Sequence, residues 1–167
     1  GEVRDLAPAG DVQTTLYGAV AVVAGGQVWT FGGGSGQVAD ALPIAFNVDP
    51  SNETITGSVA GSLDASSAAL LKRTHHQATV LDDGNTILIT GGVGPDWQPL
   101  ASVVRVSVAE GAITAVEALN DLSVPRVDHR ALRLVGGLMD GAVLISGGLR
   151  QLEGSIEFAD GAEIYLP

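Results

Sequence analysis

The sequence predicts an all-β protein built from three repeated units, and three observations lead to this prediction. Short apolar runs end three times in a Gly-Gly doublet, whose first glycines are 59 and 56 residues apart, at Gly32, Gly91 and Gly147. A period of about 50 residues is typical of repeat architectures. The apolar runs are rich in Val, Ile and Thr, which favour strands, while 23 glycines and 7 prolines indicate frequent turns.

Each unit begins with a strand, a tight turn and a second strand that ends at the doublet. The residues between these two strands accept the positive φ of a two-residue hairpin. They are Ala24-Gly25-Gly26, Asp83-Gly84-Asn85 and Asp140-Gly141. Aligned on the doublets without gaps, Tyr17 of the first unit corresponds to His76 of the second.

Two further strands follow the doublet in the first and second units. We expect them at 43–48 and 54–59 in the first unit, and at 103–108 and 112–119 in the second. The third unit carries a third strand within 162–167 and then ends. Four antiparallel strands in about 56 residues are typical of a propeller blade.

An Arg-x-x-His motif precedes the first strand of the second and third units, as Arg73-x-x-His76 and Arg126-x-x-His129. Together with the doublets and 162–167, they resemble the kelch repeat of bacterial β-propellers and of the galactose oxidase central domain. The resemblance implies three four-stranded antiparallel blades, at 11–70, 71–123 and 124–167, the last without its own fourth strand. Residues 1–10 would form an outer strand and linker that complete a blade.

Three blades do not close a ring, since propellers normally have 4–8. We therefore expect a six-bladed ring made from two copies, in which residues 1–6 of each copy complete the other's last blade. The rival interpretation is another chain, or further sequence, that supplies the remaining blades.

Composition excludes several classes of partner and site. A net charge of −11 with 8 Lys and Arg argues against nucleic acid and anionic membranes. No apolar stretch reaches about 18 residues, so no membrane span is expected. Without cysteine there is no disulfide, no thiolate metal site and no galactose-oxidase-type copper centre. The compartment stays open, with an extracellular or cell-surface location favoured.

The titratable residues do not form a known catalytic or metal motif. His75, His76 and His129 lack zinc-ligand spacing, so we expect structural roles, no metal and no cofactor. The Asp-Gly pairs fit turns better than paired catalytic carboxylates. Arg73 and Arg126 either bind an acidic ligand or bridge adjacent blades, and their equivalent repeat positions favour bridging.

The segments after the doublets, 34–41, 93–102 and 149–155, are the predicted binding loops, because loops on a rigid scaffold commonly carry function. The candidate ligand-binding residues are Asp96, Trp97, Gln98, Arg150, Gln151, Arg73 and Arg126. A tryptophan between prolines suits a binding hot spot, although Trp97 equally suits a cap on a blade or a filler of the seam between subunits.

These patterns favour a non-catalytic binding or assembly module that recognises a protein or a glycan through the loops. Enzyme activity is left open and disfavoured. One alternative is an enzyme with Arg73, Arg126 and His129 at the mouth of the channel. Another is a purely structural subunit, whose bare blade faces serve a larger assembly.

Overall fold

The computed structural model describes residues 5, 7–8, 16–34, 39, 41–59, 63–152 and 154–167. Over these ranges the protein is all-β, with about 50% of its residues in strands and one short α-helix. The strands form several antiparallel sheets, none of which closes on itself. The predicted all-β class is confirmed.

The first sheet belongs to the first unit and has the strand order β1-β5-β4-β3-β2. Its strands are β1 (Ala7–Pro8), β2 (Val20–Ala24), β3 (Gln27–Phe31), β4 (Ile44–Asp49) and β5 (Thr54–Val59). Gly25 and Gly26 form the predicted two-residue turn. β1 pairs in parallel with β5, whereas residues 1–4 and 6, expected to complete another unit, lie outside the described ranges.

The second sheet has the predicted four strands, in the order β6-β7-β8-β9. They are β6 (Gln77–Val80), β7 (Thr86–Thr90), β8 (Val103–Ala109) and β9 (Ala112–Ala118). The expected two-residue turn is wrong here, because Leu81 N–H donates to the Thr86 carbonyl (2.8 Å) across a four-residue loop. The Asp83 carboxylate closes this loop by accepting the backbone N–H of Asn85 (3.0 Å) and of Thr86 (2.7 Å).

The third sheet has three strands in the described residues, β10 (Arg130–Arg133), β11 (Val143–Ser146) and β14 (Ala162–Tyr165). Its first turn is also longer than predicted, since residues 134–142 separate β10 from β11 and include a 3-10 turn at Gly137–Met139. The segment after the third doublet, predicted as a loop, forms instead a hairpin of β12 (Leu149–Leu152) and β13 (Ser155–Phe158).

A helix that the sequence analysis did not predict, α1 (Ala65–Leu71), leads into the second unit. Its N-cap is Asp64, whose carboxylate accepts the backbone N–H of Ser67 at 2.8 Å. A hydrogen bond from the Ser66 hydroxyl, followed by the bonds from Ser67, lowers the pKa of Asp64 to about 2. An N-capping aspartate before Ala-rich residues is a recognisable helix start.

Two apolar cores join the three sheets, and β6 contacts both β2 and β10. Trp29 packs with Ile87 and Ile89 between the first and second sheets. Leu88 packs with Val143 between the second and third sheets. Because successive side chains of a strand point to opposite faces, β7 contributes to both cores, and the second sheet is buried on each side.

The doublets are the points at which consecutive units meet. Gly32 has a φ of 61°, and a Cβ there would collide with the carbonyl of Arg73 in the next unit. Gly33 donates its N–H to that carbonyl at 2.8 Å. The second doublet repeats both relations with the third unit, through Gly91, Gly92 and Arg126. Glycine is required here because of the positive φ and the close backbone approach.

Two buried arginines link consecutive doublets. While its own carbonyl meets the preceding doublet, Arg73 donates from its guanidinium to the Gly91 carbonyl (2.9 Å). Arg126 donates in the same way to the carbonyls of Gly147 (2.8 Å) and Asp160 (3.0 Å). Burial lowers the pKa of Arg73 to about 10, which leaves it charged at neutral pH. Each guanidinium therefore binds the doublet of its own unit, and the contact with the preceding unit is made by the backbone carbonyl of the same arginine.

The hairpin of the first unit is two residues shorter than that of the second. Val20 pairs with Phe31, eleven positions on, whereas Gln77 pairs with Thr90, thirteen positions on. Phe31 and Thr90 both directly precede a doublet. The two units therefore do not align without a gap.

This difference corrects the predicted correspondence of Tyr17 with His76. Ala19 takes the place of His76, and Leu16 takes the place of Arg73. The glycine contacts agree, since a Cβ on the second glycine of the doublet would meet Ala19 in the first unit and His76 in the second. The first unit thus has a leucine where the other two have a bridging arginine.

We predict that Leu88→Ala destabilises the fold by about 2–5 kcal/mol, because it opens a cavity in the second core. Leu138→Ala is the matched control, since Leu138 is fully exposed and should change stability by less than about 0.5 kcal/mol. Urea denaturation followed by circular dichroism measures both values. Equal stabilities of the two variants would contradict the proposed core.

Candidate functional site

A cleft of about 160 Å³ opens beside the second and third doublets, at the boundary between their units. We call it the loop-face cleft. Its lining consists of Val93, Trp97, Pro99, Val127, Leu149, Arg150, Gln151 and Ile156. Three of the predicted binding residues, Trp97, Arg150 and Gln151, are brought together here.

Two short backbone bridges hold the base of the loop-face cleft. Thr74 and Val93 exchange two N–H to carbonyl bonds of 2.9 and 2.8 Å. Val127 and Leu149 exchange two equivalent bonds of 2.8 Å in the next unit. Main-chain hydrogen bonds therefore hold the base in place, which suits a preformed binding site.

Trp97 lies on a tight turn that projects from this base. Its N–H donates to the Gly94 carbonyl at 3.0 Å, and Gly94 donates to the Gln98 carbonyl at 3.1 Å. The turn places Trp97 at a φ of 63°, a conformation that a bulky residue rarely adopts. Its side chain is nevertheless 48% exposed. A strained backbone and an exposed indole at the same residue suggest a functional role.

The opposite wall is the β12–β13 hairpin. Register pairs Leu149 with Phe158 and Gln151 with Ile156, so these four side chains share one face of the hairpin. Ile156 and Phe158 are 76% and 80% exposed. An apolar surface thus extends outward from the loop-face cleft, as expected of a protein-binding surface.

Charged groups at the rim are mostly acidic. Arg150 is the single cation of the lining, and its guanidinium lies 3.4 Å from Glu157 and 3.9 Å from Asp160. Asp96 adjoins Trp97, and its carboxylate accepts the Gln98 N–H at 3.3 Å. The Arg150 Nε atom is buried without a hydrogen-bond partner among the described residues. Three carboxylates thus surround one guanidinium, so the surface beside the cleft carries net negative charge, while the lining itself holds only the cation.

The other predicted residues lie outside the lining. Asp96 and Gln98 flank Trp97 on the exposed turn. Arg73 and Arg126 are buried between units, where backbone carbonyls occupy their guanidinium groups. Most of the predicted loop 34–41 falls outside the described residues.

Ile156 and Phe158 are the site residues that sequence reasoning missed. The alternation Ser155-Ile156-Glu157-Phe158 after Gly154 is a strand pattern that could have revealed them. The predicted loop ended at Ser155, and no element was predicted for residues 156–158.

His76 and His129 are buried at equivalent positions between units. The Nε2 atom of His129 is 2.7 Å from the Thr90 hydroxyl of the preceding unit. His76 has Phe31 at that position, and neither of its ring nitrogens has a partner in the described part of the chain. Burial, followed by the nearby Arg73, lowers the pKa of His76 to about 3. Burial, followed by Arg126, lowers that of His129 to about 4.

The described residues contain no group of three or more His, Asp or Glu side chains arranged to hold a metal ion. No helix in the described ranges has the length and apolar character needed to cross a membrane. Comparison of the sequence with protein-family models and with curated proteins gave no match.

We predict that stability falls as the pH decreases from about 6.5 towards 4. His76 and His129 stay neutral in the folded chain but become protonated when unfolded, since the unfolded pKa is 6.5. The unfolded state thus binds more protons in this window, which favours unfolding by up to about 1.4 kcal/mol per pH unit for each histidine.

His129→Gln is the matched variant, because it keeps a side chain able to bond Thr90 while removing one titrating group. Urea denaturation at pH 7 and pH 5 should show a smaller loss for the variant than for the wild type. Carboxylates titrate alike in both chains, so identical losses would contradict the assignment.

Proposed function

We propose that the chain is part of a kelch-like β-propeller and acts as a non-catalytic binding and assembly module. It recognises a protein, or alternatively a glycan, through the loop-face cleft and the apolar surface around it. A second chain completes the propeller, giving six blades. The exposed and strained Trp97, which lines the same cleft as Arg150 and Gln151, is the observation that carries the binding role.

The repeated seams between units support the propeller. The same glycine and carbonyl contacts recur at both seams, the same guanidinium contact recurs within the second and third units, and the first strands of successive sheets touch. Each sheet has its first strands in the same antiparallel order. Repeats of this kind stack through nearest-neighbour interfaces, and radial stacking gives a propeller.

The apolar lining favours a protein ligand over a glycan. Val93, Pro99, Leu149 and Ile156 offer few hydrogen-bonding groups for sugar hydroxyls. The acidic rim complements Lys or Arg beside an apolar side chain, and the indole face of Trp97 also attracts cations.

The contacts of the proposed catalytic residues favour binding over an enzyme. Arg73 and Arg126 are occupied by backbone carbonyls, and His129 is buried against Thr90. None of the three lines the loop-face cleft. The structural-subunit alternative requires that another chain covers Trp97 permanently. No contact among the described residues supports that alternative.

We predict that Trp97→Gly abolishes binding while leaving the stability of the fold within about 1 kcal/mol, because relief of the strained φ offsets the added entropy of the unfolded chain. Glycine adopts the positive φ of this position without strain, but it removes the indole from the loop-face cleft. Fluorescence anisotropy of heptapeptides with an aliphatic centre flanked by lysines measures binding. Urea denaturation measures stability.

Leu138→Ala serves as the control, because Leu138 is exposed on a turn outside the loop-face cleft and should leave binding unchanged. A glycan array tests the alternative ligand with the same variants. Trp97-dependent binding to glycans, without binding to peptides, would identify the ligand class as glycan. Binding that ignores Trp97 in both assays would refute the site.

A further inference from the structure

The third doublet differs from the other two in that no carbonyl of another unit meets it in the described part of the chain. Nothing lies within 4 Å of the position that a Cβ on Gly147 would take, although its φ of 68° matches that of Gly32 and Gly91. The N–H of Gly148 has no acceptor in the described part of the chain, whereas Gly33 and Gly92 each donate to an arginine carbonyl. The third doublet therefore has the open space and the free N–H donor that a carbonyl of a following unit would need.

The first unit carries the complementary group at the other end of the array. Leu16 stands where Arg73 stands in the second unit, and its carbonyl accepts no hydrogen bond within the described ranges. In the first doublet, the carbonyl of Arg73 is the group that accepts this hydrogen bond. An unused acceptor at one end therefore matches an unused donor at the other.

The sheet faces at the two ends also match. Leu132, Leu144 and Ile164 form one cross-strand row on the open face of the third sheet, and Leu132 is 64% exposed. Counted from the doublets, Leu144 occupies the position of Leu88, which packs against the next unit.

On the open face of the first sheet, Val28 occupies the position of Ile87 in the second sheet, and Ile87 packs against the preceding unit. Val28 lines a surface groove with Phe46 and Ile55, which gives this face an apolar character. The two end faces are therefore the two halves of an interface that the chain already forms twice.

We infer that a second copy of this chain docks head to tail, with its Leu16 carbonyl on Gly148 and its first sheet on the Leu132–Leu144–Ile164 row. This inference rests on the propeller assembly proposed above, and not on the ligand of the loop-face cleft. Each copy offers one unoccupied doublet and one free carbonyl acceptor, so two copies form two equal seams related by a two-fold axis. Two copies give six blades, whereas three would give nine, above the usual 4–8.

Gly147→Ala tests the seam. A methyl group there touches none of the described residues but occupies the space that a docking carbonyl needs, as at Gly32 and Gly91. Gly84→Ala is the matched control, with a φ of 69° and open space around it. Both variants carry the same backbone strain, so their difference reports the seam.

Light scattering after size exclusion measures the native mass. We expect the wild type and Gly84→Ala at about twice the 16.9 kDa of one chain, and at least tenfold weaker association of Gly147→Ala. Leu132→Glu should likewise yield folded monomer, because it places a charge on the apolar seam. Leu138→Glu, on an exposed turn, should remain dimeric.

A folded wild-type monomer at about 50 μM would overturn the inference, as would a dimer that neither Gly147→Ala nor Leu132→Glu weakens. Peptide binding is measured on the same samples. A monomer that still binds through Trp97 refutes the seam and leaves the binding role standing, while a dimer without Trp97-dependent binding does the reverse.

Discussion

The arrangement of the sheets depends on one backbone contact, the carbonyl of each bridging arginine resting on the doublet of the preceding unit. The hydrogen bond to the second glycine is 2.8 Å long at both seams. Its net contribution is only about 1 kcal/mol, but it fixes the distance and angle between neighbouring sheets. The apolar cores then pack against faces whose relative position is already defined. A side chain at Gly32 or Gly91 would push the units apart and leave both cores underfilled.

Strand positions were largely predictable, since alternation of β-branched residues and the doublets define them. β4, β5, β8, β9 and β14 lie within one or two residues of their expected bounds. Turn lengths were not, because Asp83 can close a longer loop through its carboxylate as readily as Asp-Gly can form a two-residue turn. The same ambiguity shifted the alignment of the first unit by two residues and hid the place of Leu16.

The candidate site was predictable in part for a comparable reason. Trp97 stood out because a tryptophan between prolines has no place in an alternating strand. Its meeting with Arg150 and Gln151 follows from the repeat, which sends both segments to the same end of the array. The apolar wall was missed because a hairpin inserted after the third doublet has no counterpart among the described residues of the other units. A sequence repeat predicts the strands that the units share, but not an element that a single unit adds.

The burial of β7 on both faces has a consequence for the dynamics of the chain. Its amides lie in the sheet that opens last, because exposing them requires both cores to separate. Within the ranges that the structure describes, the first and third sheets each have one uncovered face, so their amides should exchange with deuterium sooner. Opening would then proceed from the ends inward, as in a short one-dimensional array, and joining the ends would remove the places at which it starts.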